Sequence, residues 1–220
     1  MTTPKIHREF RPYLFAHAIS LLLALGIFLW YNTAWYYPLG WGIIQLSTLL
    51  FTAYFFRYRE PAVPKTLENN ALVSPADGHI VALEPSLDKP DTYLRLSIYL
   101  HGTDTHLIRI PCTGKVEKVT YHPGKHLVAF NPKSSTLNER LVIELKTASN
   151  KVITMTLVAG LLARRIKPYI NEGQEVEVGG ELGYILLGSR VDMEVPNSFL
   201  PEVAMKQKVL SSETVLGCLN

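Results

Sequence analysis

Hydrophobic and polar positions divide this chain into two stretches with different periods. From Pro12 to Phe56 there is no Asp, Glu, Lys or Arg, and two apolar runs, Tyr13–Trp30 and Leu39–Phe56, flank a segment, Tyr31–Pro38, that holds Asn32 and Pro38. Each run has 18 residues, enough for about 27 Å of helix against the ~30 Å of bilayer hydrocarbon. The pattern predicts a two-helix membrane hairpin over residues 1–58, arm included. Trp30, Trp35, Tyr36, Tyr37 and Trp41 gather at its turn, where amphipathic rings suit the headgroup level. His17 in the first run reads as a neutral histidine near an interface.

Beyond Glu60-Pro61-Ala62-Val63-Pro64, which reads as a stiff exit linker, the period changes. Short β-rich segments follow: His79–Leu83, Tyr93–Leu100, Lys115–Thr120, Leu141–Leu145, Val152–Val158 and Leu182–Leu187. They are split by Asp77-Gly78, Pro123-Gly124, Ser149-Asn150 and Gly179-Gly180. Glu175–Val178 alternates acidic residues with Val between two glycine turns, the pattern of an edge strand. The reading is a mainly β domain over 59–220, sandwich or barrel-like with few short helices, preceded by the α-helical membrane hairpin.

Charge adds an orientation. All 41 charged residues lie in the N-terminal arm or from Arg57 onward, and Lys5/Arg8/Arg11 and Arg57/Arg59/Lys65 flank the uncharged stretch while its turn has none. The positive-inside rule then puts both ends and the β domain on the cytoplasmic face of the cell membrane. A net charge of +3 without a long basic run gives no case for nucleic acid. Two cysteines, Cys112 and Cys218, without C-x-x-C spacing predict neither a disulfide framework nor a metal site.

Four places carry candidate chemistry: Ser74–His79, Thr103–Pro111, Asn138-Glu139-Arg140 and Leu187-Gly188-Ser189-Arg190. Singly, each has an ordinary structural reading as a turn, a loop hydroxyl or a surface ion pair. Together, and collinear with Tyr121–Gly124, Ala159-Gly160, Ala163–Ile166 and Gly183–Pro196, they resemble the phosphatidylserine decarboxylase family in its short form with an N-terminal membrane hairpin. The resemblance covers nearly all of 56–220.

The resemblance implies autocatalytic cleavage between Gly188 and Ser189, giving a large chain 1–188 and a small chain 189–220 that stay associated, and a homodimer. Ser189 would become a covalent pyruvoyl cofactor that takes the amine of phosphatidylserine as a Schiff base and holds the electron pair left by CO₂. By family position His106 is the proton donor and Asp77 part of the Ser-His-Asp arrangement that activates Ser189. Where better-known members carry the base histidine this chain has Arg109, so either His106 serves both steps or His79 stands in beside Asp77. Arg109, Arg140, Arg164 and Arg165 are cationic candidates for the lipid phosphate or the serine carboxylate. Two other readings stay open: a membrane-anchored lipoyl-like adaptor or carrier module, and a serine-type membrane peptidase.

Overall fold

The computed structural model describes residues 4–31, 34–86, 88–125, 137–160, 166–186 and 189–220. The chain divides into two compact units, Met1–Glu60 and Pro61–Asn220.

The first unit is the helical hairpin. Helices α1 (Arg11–Trp30) and α2 (Tyr36–Phe55) pack side by side and leave their aliphatic residues outward, with Leu22 70% and Leu29 74% exposed. Pro12 opens α1, where its missing N–H costs nothing. Polar contacts join the helices: His17 Nδ1 is 2.8 Å from Gln45 Oε1, and Gln45 Nε2 donates to Ser20 Oγ at 3.0 Å. The hydroxyls of Ser47, Thr48 and Thr52 bond back to carbonyls one turn earlier, which satisfies them without water. Among the described residues one helix, Arg8–Trp30, is long and apolar enough to cross a membrane, with a mean hydropathy of 2.0. Residues 60–64, the expected linker, carry neither helix nor strand. After α2 the chain forms strand β2 (Arg57–Tyr58), which pairs antiparallel with β1 (Lys5–Ile6) of the N-terminal arm.

Among the described residues the second unit is mainly β, through strands β3 (Ala71–Val73), β4 (Gly78–Pro85), β5 (Tyr93–Leu100), β6 (Leu107–Arg109), β7 (Gly114–His122), β8 (Arg140–Thr147) and β9 (Val152–Val158). There follow β10 (Ile166–Pro168), β11 (Glu175–Val176), β12 (Glu181–Ile185), β13 (Ser189–Pro196), β14 (Phe199–Pro201), β15 (Lys208–Val209) and β16 (Val215–Leu219). Eight form one antiparallel sheet in the order β11-β7-β8-β9-β13-β5-β4-β15, and two three-stranded sheets, β10-β12-β6 and β14-β16-β3, accompany it. The expected edge strand is β11, at one end of the large sheet.

Period-two alternation decides the layers. Leu141, Ile143 and Leu145, Ile153, Met155 and Leu157, Val191, Met193 and Val195, and Leu96, Ile98 and Leu100 all face one buried layer. Leu72, Ile108, Leu182 and Leu216 from the small sheets close the same core, and each such side chain contributes about 2 kcal/mol. Strand β13 was not among the expected segments, yet it lies in the middle of the large sheet between β9 and β5.

Candidate active site

The turn between β3 and β4 is fixed from within and from across. Ser74 Oγ donates to the Ala76 carbonyl at 2.7 Å, Val73 N to Pro111 O at 2.9 Å and Arg109 N to Pro75 O at 2.8 Å. A side chain at Gly78 would overlap the Tyr99 carbonyl, so the strand can start here only with glycine. These ties set Asp77 against the 103–106 loop. Its Oδ2 accepts from Thr105 Oγ1 at 2.6 Å and its Oδ1 from Ser211 N at 2.8 Å.

His106 is fully buried, with Nδ1 2.9 Å from the Asp104 carbonyl. A carbonyl only accepts, so Nδ1 carries the proton and the lone pair of the neutral ring sits on Nε2. The Asp104 backbone is itself held, its carboxylate accepting from His101 N at 2.8 Å and its N–H donating to His101 O at 2.9 Å. A main-chain carbonyl thus helps orient the imidazole, and the Asp77 carboxylate bonds one residue away, to Thr105.

Ser189 follows β12 in the chain. Strand β12 pairs with β6, Tyr184 opposite Leu107, and Ile185 N donates to His106 O at 3.1 Å. From Ile185 the chain has four residue steps, at most about 14 Å, before β13 begins at Ser189 opposite Leu100. Leu100 belongs to the core layer, and Ser189 is fully buried with no hydrogen-bond partner for its Oγ among the described residues. A buried hydroxyl left so costs roughly 1–3 kcal/mol. Its neighbour Arg190 points to the opposite face, where its Nε is 2.8 Å from Asp192 Oδ1 and its Nη2 donates to Oδ2 at 3.1 Å.

The remaining candidates scatter. His79 stands opposite Tyr99, which also stands opposite Arg190, so its ring lies on the face away from Ser189, edge-on to His101 at 5.2 Å. Arg109 is 5% exposed and donates to the Gly179 carbonyl at 2.7 Å, a tie to a glycine turn. Arg140 lies on the outer face of the large sheet, lining a recess of about 360 Å³ with Arg95, His122, Glu144, Asp192 and Glu194. Gly188, Arg164 and Arg165 lie outside the described residues. Burial pushes the Cys112 thiol up to about 12, which removes it as a nucleophile at neutral pH. Sequence reasoning gave no role to Thr105, Asp104 or Ser211. The first two sit inside a quoted motif, whereas nothing in the sequence marks Ser211.

The profile of the phosphatidylserine decarboxylase family matches residues 49–217. A phosphatidylserine decarboxylase proenzyme of Paraburkholderia phymatum is 37% identical over 216 residues, 97% of each chain. That of Burkholderia vietnamiensis is 37% identical over 218 residues, 97% of this chain and 96% of its own. That of Cytophaga hutchinsonii is 34% identical over 216 residues, 96% of this chain and 97% of its own. A match over most of the length, spanning the buried serine, the buried histidine and the Asp77 turn, leaves one assignment: the chain belongs to the phosphatidylserine decarboxylase family.

Proposed function

We propose that this chain is a proenzyme that cuts itself between Gly188 and Ser189 and then, as a membrane-anchored carboxy-lyase, decarboxylates phosphatidylserine to phosphatidylethanolamine. The observation that carries the reading is the fully buried hydroxyl of Ser189 at the head of β13, directly after Gly188 in the chain and with no hydrogen-bond partner among the described residues. The buried hydroxyls of Ser97 and Ser212 share that state, but neither follows a glycine whose carbonyl it could attack.

In the cutting step the Ser189 Oγ adds to the Gly188 carbonyl carbon as its proton passes to a base, and the nitrogen of residue 189 takes up a proton and leaves as an amine, so that amide becomes ester. Removal of the residue 189 α-proton then eliminates Gly188 as a carboxylate and leaves dehydroalanine, whose imine tautomer adds water and expels ammonia to leave the pyruvoyl group. A serine hydroxyl needs a base for this. His106 supports that role because its Nδ1–H is committed to the Asp104 carbonyl, which leaves basicity at Nε2. His79, on the other sheet face, has no such support. A pyruvoyl group at position 189 supplies an electron sink for the charge left when CO₂ departs. His106, protonated, then returns a proton to the former α-carbon. Burial around Ser189 keeps bulk water from that carbon.

Strand β13 keeps the small chain 189–220 in place, since it is hydrogen-bonded to β9 and β5. The apolar helix Arg8–Trp30 is compatible with anchoring beside a bilayer substrate, and the basic flanks favour the cytoplasmic face.

Denaturing electrophoresis with intact-mass measurement tests the reading. Wild-type protein is expected as two fragments, the smaller starting at position 189 with a blocked terminus, and as active on phosphatidylserine. Ser189→Ala is expected as one inactive chain. Wild-type protein that stays whole yet releases CO₂ overturns the mechanism, and an intact, inactive chain would favour the adaptor or carrier reading.

A further inference from the structure

The two units differ in charge. Residues 1–60 hold five basic and two acidic side chains, whereas residues 61–220 hold seventeen of each, so the whole net charge of +3 belongs to the hairpin unit. All five basic residues, Lys5, Arg8, Arg11, Arg57 and Arg59, sit outside the uncharged stretch. The fold joins them. The β1–β2 pairing and the bond from His7 N to Phe56 O at 2.8 Å bring the arm and the exit segment to the same end of the hairpin.

The five basic residues differ in setting. Lys5 pairs with Glu60 at 2.6 Å, which holds its ammonium above the usual value. The Arg57 guanidinium lies 3.7 Å over the Tyr54 ring. Arg8, Arg11 and Arg59 are exposed. Helix stability does not explain Arg11, which opens α1 at its positive pole, with no acidic residue in the first turn and no side-chain cap. That position favours carboxylates and disfavours cations. The collar also lies where the apolar stretch begins, ringed by Phe10, Tyr13 and Tyr58, the level at which a membrane-borne hairpin meets headgroups.

We propose that this basic collar binds the anionic phospholipid headgroups of the leaflet it meets, with Arg8, Arg11 and Arg59 as the contacting cations. A surface of such lipids attracts each nearby arginine measurably, within a Debye length. On the reading given under Proposed function, a further consequence follows. A phosphoserine headgroup carries one net negative charge (phosphate and carboxylate against one ammonium), and loss of CO₂ leaves a headgroup with none. The collar then enriches substrate over product around the hairpin, and the attraction declines as substrate is used up.

The test uses the full chain in nanodiscs of phosphatidylcholine with about 20 mol % phosphatidylglycerol, an anionic lipid with no amine to decarboxylate. Spin-labelled phosphatidylglycerol and phosphatidylcholine report the lipids in contact with the protein. Wild-type protein is expected to prefer phosphatidylglycerol by about fivefold at low salt and to lose most of that preference in ~1 M salt. The Arg8→Gln/Arg11→Gln/Arg59→Gln variant should lose it at all salt concentrations, whereas Lys206→Gln/Lys208→Gln should keep it. No preference in the wild type, a preference indifferent to salt, or one retained by the triple variant overturns the proposal. CO₂ release from phosphatidylserine, measured separately, bears on the activity alone.

Discussion

Leu22 and Leu141 are the same residue in opposite situations. The first, in α1, is 70% exposed, and the second, in β8, is 2% exposed. The contrast extends to whole units. In the β unit, aliphatic side chains fill the space between sheets and most charges face out, with Arg109, Glu139, Arg190 and Asp192 as buried exceptions. In the hairpin, aliphatic side chains face out and His17, Gln45 and Ser20 bond to one another inside. With the hairpin membrane-anchored as proposed above, both obey one rule, that each group turns to the surroundings that solvate it, and they differ because the surroundings differ. Between helices in lipid there is no hydrophobic gain, so polar contacts and close packing hold the pair.

Substitutions can break this comparison. Ile143→Ala empties part of the sheet core and should lower stability by about 2–5 kcal/mol, whereas Leu22→Ala should shift it by less than ~0.5 kcal/mol. Thermal melts of both in the same detergent measure this, and equal losses would mean that the outward face of the hairpin is packed against something. Thr105→Val is next. It strands the Asp77 carboxylate oxygen, with an expected loss of ~1–3 kcal/mol and self-cleavage about tenfold slower, restored by Thr105→Ser. Cleavage time courses check it, and a normal rate in the valine variant would leave Asp77 with a purely structural bond. Smallest is Gln45→Leu, which removes both interhelix bonds at a cost of roughly 0.6–2 kcal/mol. It should loosen α1 from α2, as read by crosslinking between cysteines introduced on facing positions, without changing cleavage at 188/189.

Much of the architecture was legible because it follows from local patterns. The missing charges from Pro12 to Phe56 announce two helices, and alternation in Tyr93–Leu100 and Val152–Val158 gives those strands their observed bounds. Strand β13 carries the same alternation, Val191, Met193 and Val195 against Arg190, Asp192 and Glu194, but no turn signal sets it off from the Gly188-Ser189 motif. Register was not legible. Whether His79 shares a face with Ser189 depends on its pairing with Tyr99, twenty positions away. The same holds for the bond from Ser211 N to Asp77, 134 positions apart, and for Arg109, whose partner Gly179 is 70 positions away. Sequence proposes which residues carry chemistry, and long-range pairing decides which of them meet.

The central position of β13 gives the molecule a direction in time. A strand hydrogen-bonded to neighbours on both sides means that, under the self-cleavage proposed above, folding would come first and severing second. Renaturation of the severed molecule would then no longer be a first-order event. Two dissolved pieces would have to find each other by diffusion, and recovery after denaturation should depend on protein concentration for the severed molecule but not for an uncut one.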